Sequence, residues 1–218
     1  MDFKRARSAE QKAVRSNQII EAALALYDEM PYSAITLSAI TEKLDFTRAN
    51  LRKYFATKEE IFLIIIERDT IVWTDELRGE LSKHDTITIQ KFSGLWASSL
   101  YKHKRLLELL SILNTVIEKN VSVESLAVWR KAMNDCFKAL NKQMLRIIPG
   151  MTSDLGHLFF DFQMHYAVGL YPATAQNEIQ KKAAKVSGVP YKKEGFVPAF
   201  SKFLAIALQG LILQINND

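Results

Sequence analysis

The chain has 218 residues, 48% of them hydrophobic and 24% charged, with a formal net charge of +5. That length and apolar content support one large or two modest domains with a real core, and a charge this small is no argument for nucleic acid by itself. A single cysteine, Cys136, excludes an intramolecular disulfide and a cysteine-based zinc site.

In chain order, the first predicted element is a helix over Ala9–Glu29. It offers Ile19, Ile20, Ala23, Leu24, Leu26 and Tyr27 to a small core. Ahead of it lies a basic arm with Lys4, Arg5 and Arg7, continued by Lys12 and Arg15 inside the helix, against Asp2 and Glu10. Two readings suit that arm: contact with a nucleic-acid backbone or minor groove, and a solubilising tail.

Three short capped helices follow between Thr36 and Phe62. Thr36 precedes Leu37, Ile40 and Leu44, an apolar stripe at helical spacing, and is a fitting N-cap. Asp45-Phe46 interrupts, and Asp tolerates the backbone of a tight turn less readily than Gly. Thr47 caps a second helix, predicted over Arg48–Tyr54, in which Leu51 and Tyr54-Phe55 face inward. Thr57-Lys58-Glu59-Glu60 has the spacing of a capping box and opens a long apolar helix over 58–81. Together with the first helix these elements make a three-helix core.

The outward side of 48–54 carries Arg48, Asn50, Arg52 and Lys53. Arg and Lys pair with guanine acceptors and phosphates, and Asn can read adenine bidentately. Four polar residues on a short helix also suit a plain solvated face. The flanking geometry, rather than the charges, is what favours DNA; over 43–58, Lys43, Arg48, Arg52, Lys53 and Lys58 oppose only Asp45.

This segment resembles the DNA-binding domain of the TetR/AcrR family of bacterial transcriptional regulators. Ile35-Thr36 and Ile40 match the start of the family's run, Thr47 stands at its Ser, and Leu51, Tyr54-Phe55 and Thr57-Lys58-Glu59 match its end without an insertion. Asp45 replaces the usual turn Gly, Asn50 a Thr, and Arg52 a Tyr; the last two departures sit where family members touch DNA. The resemblance implies that Thr36, Ser38, Tyr54 and Lys58 contact phosphates. It implies also that Thr47, Arg48, Asn50, Arg52 and Lys53 reach bases or adjacent backbone.

Beyond residue 65 the expectation is all-α. Helices are predicted at 86–102, 104–119, 122–147, 153–171, 174–187 and 196–216, with a break at Tyr171-Pro172. The expected division is a DNA-binding domain over 1–56 and a regulatory and dimerisation domain over 57–218, joined by the rigid helix 58–81. No uninterrupted apolar run of membrane-spanning length and no N-terminal apolar signal are expected, which points to a cytoplasmic protein without a membrane partner.

The last helix is apolar on nearly all sides and needs cover on nearly all sides. Family resemblance implies a four-helix dimer bundle from two C-terminal helices of each subunit. The expected interface is Phe160, Met164, Ala167, Tyr171, Phe203, Leu204, Leu208 and Leu211, with ordinary core as the other reading. Phe92, Trp96, Trp129, Met133, Phe137, Phe159, Phe162 and Tyr166 are the expected lining of a pocket for a largely apolar effector.

Asp154, His157, Asp161 and His165 share one helical stripe. Carboxylate and imidazole are legitimate metal ligands, so a metal-binding or enzymatic module is the alternative function; a polar seam beside a dimer contact is the plainer one. A second carboxylate–histidine motif for a di-iron bundle is missing, as are the G-x-S-x-G and glycine-rich phosphate motifs of common enzymes. The reading is therefore a regulator and not an enzyme, with no cofactor. Its partners would be a double-stranded DNA operator, a small-molecule effector and a second copy of itself.

Overall fold

A computed structural model describes residues 9–44, 46–175, 178–189 and 194–215. The arm residues Lys4, Arg5 and Arg7 and the turn residue Asp45 lie outside these. Among the described residues every regular element is helical. The chain divides into two compact units, Met1–Glu67 with Leu113–Arg130, and Arg68–Ile112 with Lys131–Asp218.

The first unit holds α1 (Ala9–Glu29), a 3-10 turn (Tyr32–Ala34), α2 (Leu37–Leu44), α3 (Arg48–Leu51) and the start of α4 (Lys58–Leu81). Ile19, Ile20, Ala23 and Leu26 from α1 meet Ile35, Ile40, Leu51, Ile61 and Phe62 in its core, all essentially inaccessible to solvent. Burial of eight or nine such side chains at about 1.5–3 kcal/mol each is what makes three short helices hold together. Tyr32 packs edge-on against Phe62 at 4.8 Å between ring centroids.

The same unit takes in a later segment, Leu113–Arg130. The helix α6 (Lys104–Ile112) widens into a π-helical turn over Leu113–Ile117, tightens to 3-10 over Glu118–Asn120 and gives way to α7 (Val123–Ile147). Sequence periodicity predicts one unbroken helix over 104–119, because the segment contains no Gly or Pro to mark the change of winding. Leu113 and Ile117 are buried at the π turn, so packing rather than a local breaker sets it.

In the second unit α5 (Ile89–Lys102) is the central element. It packs against α10 (Phe196–Ile215), which in turn packs on α8 (Ser153–Thr174), while α6 lies on α8. A short exposed helix, α9 (Glu178–Ser187), buries no side chain. The core is aromatic: Trp96 stands edge-on to Trp73 at 5.6 Å and to Phe159 at 5.1 Å.

Two expectations change here. The helix α8 runs through Pro172 to Thr174 instead of ending at residue 171. Proline removes the N–H that would bond the carbonyl four residues back. The Ser111 hydroxyl lies 3.3 Å from that Val168 oxygen and shares its proton with Leu107 O at 2.8 Å. Second, α3 closes at Leu51, and turns rather than a regular helix carry the chain from Arg52 to Tyr54. The stretch Phe196–Leu213 has a mean hydropathy of 1.8 over 18 residues, long and apolar enough to cross a membrane by length and composition, with Lys202 interrupting it. Phe196, Phe200, Leu204, Leu208 and Leu211 form its buried side.

Candidate nucleic-acid interface

The local chemistry of the helix-turn-helix begins with its caps. Thr36 Oγ1 accepts the Ala39 N–H at 3.1 Å and starts α2. Thr47, in extended backbone, accepts the Asn50 N–H at 3.2 Å and starts α3. Leu51 is the buried pin of α3, and the backbone bond from Phe55 N to Leu51 O at 3.1 Å folds the following turn back on it. Pinning Leu51 and Phe55 inward leaves Arg48, Arg52 and Lys53 outward, all three exposed. Lys53 Nζ donates to Asn50 Oδ1 at 3.1 Å, so these two act as one hydrogen-bonded pair.

Lys58 is tied into the fold. Its ammonium donates to Tyr32 O at 2.9 Å and Ile35 O at 2.8 Å, and lies 4.3 Å from the centre of the Tyr32 ring. Burial holds its pKa below the usual lysine range, partly offset by Glu59. The Tyr32 hydroxyl donates to Glu59 at 3.0 Å, and its pKa rises well above the phenol range, through burial first and then Glu59. Two of the three ammonium protons of Lys58 are thus committed to carbonyls at the two ends of the 3-10 turn.

Glu60 holds a second junction. Thr57 Oγ1 accepts the Glu60 N–H at 3.2 Å, one half of the predicted capping box. The carboxylate does not return to Thr57; it accepts the Ala56 N–H at 2.8 Å, the Ser122 hydroxyl at 2.9 Å and the Ser125 hydroxyl at 3.3 Å. Thr57 in turn donates to Asn120 O at 2.9 Å. Burial, the largest single influence, would raise the Glu60 pKa, but the donors at Ala56, Ser122 and Ser125 together lower it. Sequence reading found Glu60 as a local cap and missed its long-range partners, since nothing in Ser122 or Ser125 advertises them.

The nine residues expected at DNA therefore lie in one unit. Thr36, Thr47, Arg48, Arg52 and Lys53 are exposed, while Ser38, Asn50, Tyr54 and Lys58 are half-buried. The expected effector-pocket residues do not gather in this way. Trp129 lies in the first unit and Met133 and Phe137 in the second. Phe92, Trp96 and Phe159 are fully buried together, whereas Phe162 and Tyr166 stand 44% and 36% exposed on the outside of α8.

The expected dimer residues are displaced in the opposite sense. Phe160, Ala167, Tyr171, Leu204, Leu208 and Leu211 are buried by their own chain, and Met164 and Phe203 are half-buried. Phe160 packs on Phe137 at 5.0 Å, so it belongs to the interior aromatic cluster. The apolar side chains left outward on these helices are Leu158, Phe162, Tyr166, Ile206 and Leu213. Tyr166 stacks on Phe203 at 3.8 Å, joining α8 to α10 on that outer side. The signal that could have fixed the phase was in the sequence: Asp154, His157, Asp161 and His165 are all exposed and mark the outward face, on which 158, 162 and 166 are neighbours.

Among the described residues no group of three or more His, Cys, Asp or Glu side chains could hold a metal ion. The 154–165 stripe climbs one exposed helix face with no ligand set converging on it.

A helix-turn-helix with a capped, cationic second helix, followed by an all-helical second unit, is the architecture of a DNA-binding transcriptional regulator. The sequence matches the family described as bacterial regulatory proteins, tetR family, over residues 19–65, and the tetracyclin repressor-like C-terminal domain over residues 67–215. The chain belongs to the TetR family. No curated protein matches its sequence. Among solved structures it resembles the fatty acid degradation regulator FadR from Bacillus halodurans, with a TM-score of 0.54 and 12% identity, over 91% of this chain and 94% of that one. A likeness at that identity is a likeness of fold.

Proposed function

We propose that the protein is a cytoplasmic transcriptional repressor that binds a pseudo-palindromic operator as a homodimer and releases it when a small, largely apolar ligand enters the second unit. The observation that carries this reading is the Thr47-capped segment on which Arg48, Arg52 and Lys53 point outward from a fully buried Leu51. Arg52 and the Asn50–Lys53 pair are the base-reading groups; Thr36, Ser38 and Tyr54 hold the backbone, with the third ammonium proton of Lys58. Two such segments related by a two-fold axis would read half-sites about one helical turn apart, or somewhat more.

The outward apolar strip of Leu158, Phe162, Tyr166, Ile206 and Leu213 supports α8 and α10 as the dimer face. For the effector, the interior around Trp96 is the favoured place. Trp73 Nε1, Ser93 Oγ and Gln163 Nε2 are buried there without a hydrogen-bond partner, while Gln163 Oε1 accepts from Trp96 Nε1 at 3.2 Å. Unmet indole and amide N–H groups in an aromatic core favour a ligand that pairs an apolar body with a hydrogen-bond acceptor. Such a ligand weakens DNA binding only through its different affinity for the two states of the dimer.

Footprinting on the DNA flanking the gene tests the reading. A protected, two-fold-related site whose protection weakens with salt is expected; uniform binding to unrelated DNA would remove the assignment.

A further inference from the structure

We propose that α9 is a clasp between subunits, docking its apolar edge and its lysines on the outer face of α8 in a second copy of this chain. The clasp rests on the homodimer reading above and adds to the α8–α10 face an element that reading leaves out.

α9 is turned outward. Ile179, Ala183 and Val186 recur at i, i+4 and i+7, one stripe of a helix. All three are exposed, Ile179 by 77% and Val186 by 90%. Of the ten residues in Glu178–Ser187 only Ala184 is half-buried. Ala184 lies roughly 140–160° around the helix from Ile179 and Val186. The side that touches its own chain is therefore the side opposite the apolar stripe. An amphipathic helix is normally held to a protein by burial of that stripe.

The matching surface stands on α8. Asp154, His157, Asp161 and His165 are exposed in one row, and Leu158 and Phe162, each 44% exposed, run beside it. α9 has the same two-row layout with the opposite charge. Lys182 and Lys185 are exposed next to its apolar stripe, while Lys181 pairs with Glu178 at 2.7 Å. Laid together, apolar row meets apolar row and ammonium meets carboxylate. One chain does not make this contact with itself, since both faces are open to solvent in it. Two copies make it twice, α9 of each on α8 of the other. A two-fold axis perpendicular to α8 sets the two α8 helices antiparallel. The C-terminal end of one, after which α9 follows in the sequence, then lies beside the N-terminal half of the other, where Asp154 and Asp161 stand. A lipid surface fits less well, because a stripe of Ile, Ala and Val offers it no aromatic or leucine anchor.

Dilution of the full chain, followed by sedimentation at one moderate salt concentration, tests the clasp. Val186→Asp alters a side chain already in water and should weaken self-association about tenfold with helical content by circular dichroism unchanged. Lys182→Glu combined with Lys185→Glu should do the same, as should Asp161→Lys from the other side. The decisive measurement mixes these last two chains. In the mixed pair each α9 meets the opposite charge at position 161, so the mixture should dimerise about tenfold more tightly than either variant alone. A mixture no tighter than its components overturns the proposal. Should Asp161→Lys misfold, the α9 variants still decide: a dimer as tight as the parent's from both overturns it. Such α9 variants that also lose a binding of the parent to phosphatidylglycerol vesicles would give the helix to a lipid surface instead. A parent that is monomeric at micromolar concentration removes the homodimer reading and the clasp together, whereas a dimeric parent with unchanged variants removes the clasp alone.

Discussion

The carboxylate of Glu60 accepts the hydroxyl proton of Ser122 at 2.9 Å across 62 residues of sequence. That bond and its neighbours bring the start of α7 into the same compact unit as the helix-turn-helix. The junction has a pH signature with a definite sign. Because the folded pKa of Glu60 lies below its unfolded value, its stabilisation is fully present above the unfolded carboxylate value of about 4.3 and is lost as pH falls through the folded one. Thermal unfolding followed from pH 7 to pH 3 should show the parent losing more stability than Glu60→Gln over the acid part of that range. At pH 7 the substitution should cost about 1 kcal/mol, a modest figure because the site is partly solvated. Parallel pH profiles for the two proteins would contradict the role given to this carboxylate.

Arg52 and Lys53 are adjacent and exposed, yet their substitutions should behave differently. Arg52→Ala should cost about 1–3 kcal/mol on the operator and less on unrelated DNA, as expected of a base contact. On the proposed reading Lys53 serves the adjacent backbone as well as a base, so Lys53→Ala should weaken both and reduce the slope of log affinity against log salt by about 1. Asn50→Ala removes the 3.1 Å anchor of Lys53, so it should reproduce part of the Lys53→Ala loss. Fluorescence anisotropy at several salt concentrations reads all three.

The outer face of α8 predicts a clean separation of assembly from folding. Phe162, 44% exposed, can become Asp without entering the core. Phe162→Asp should weaken self-association by about 2 kcal/mol or more while helical content by circular dichroism is retained. Leu204→Asp, at a fully buried position, should unfold the second unit instead. Light scattering at micromolar concentration distinguishes the two, and an undiminished dimer of Phe162→Asp would move the interface elsewhere.

Gly156 is required by close packing of α8 on α7. A methyl group added there would overlap Asn141 Oδ1. Asn141 is nearly buried and is itself fixed by donating to Ser153 O at 3.2 Å, so it cannot move aside freely. Gly156→Ala should destabilise by about 1–3 kcal/mol. Adding Asn141→Ala should return part of that loss, giving a coupling of about 1 kcal/mol in a double-mutant cycle. Additive losses from the two changes would mean that the clash is relieved some other way.

The sequence by itself determined the helix-turn-helix and its family. Caps, turns and short-range apolar spacing are local physics, and Thr36, Thr47, Leu51 and Thr57 spell them within 22 residues. It also determined the start and end of α1 and α4, where strong periodicity meets a cap or a turn. Tertiary structure decided what lies at the end of a side chain that has more than one possible partner. Period 3.6 assigned Phe160 and Phe162 to opposite arcs of α8, but only packing against α10 and the Trp96 cluster decided which arc is interior. The winding change at Leu113–Ile117 and the continuation through Pro172 were likewise invisible: the first goes with burial of Leu113 and Ile117 in the fold, and the hydroxyl beside Val168 O comes from Ser111, 57 residues away in sequence. For the same reason Glu60 could be read as the cap of α4, and only the folded chain could bring Ser122 and Ser125 to it.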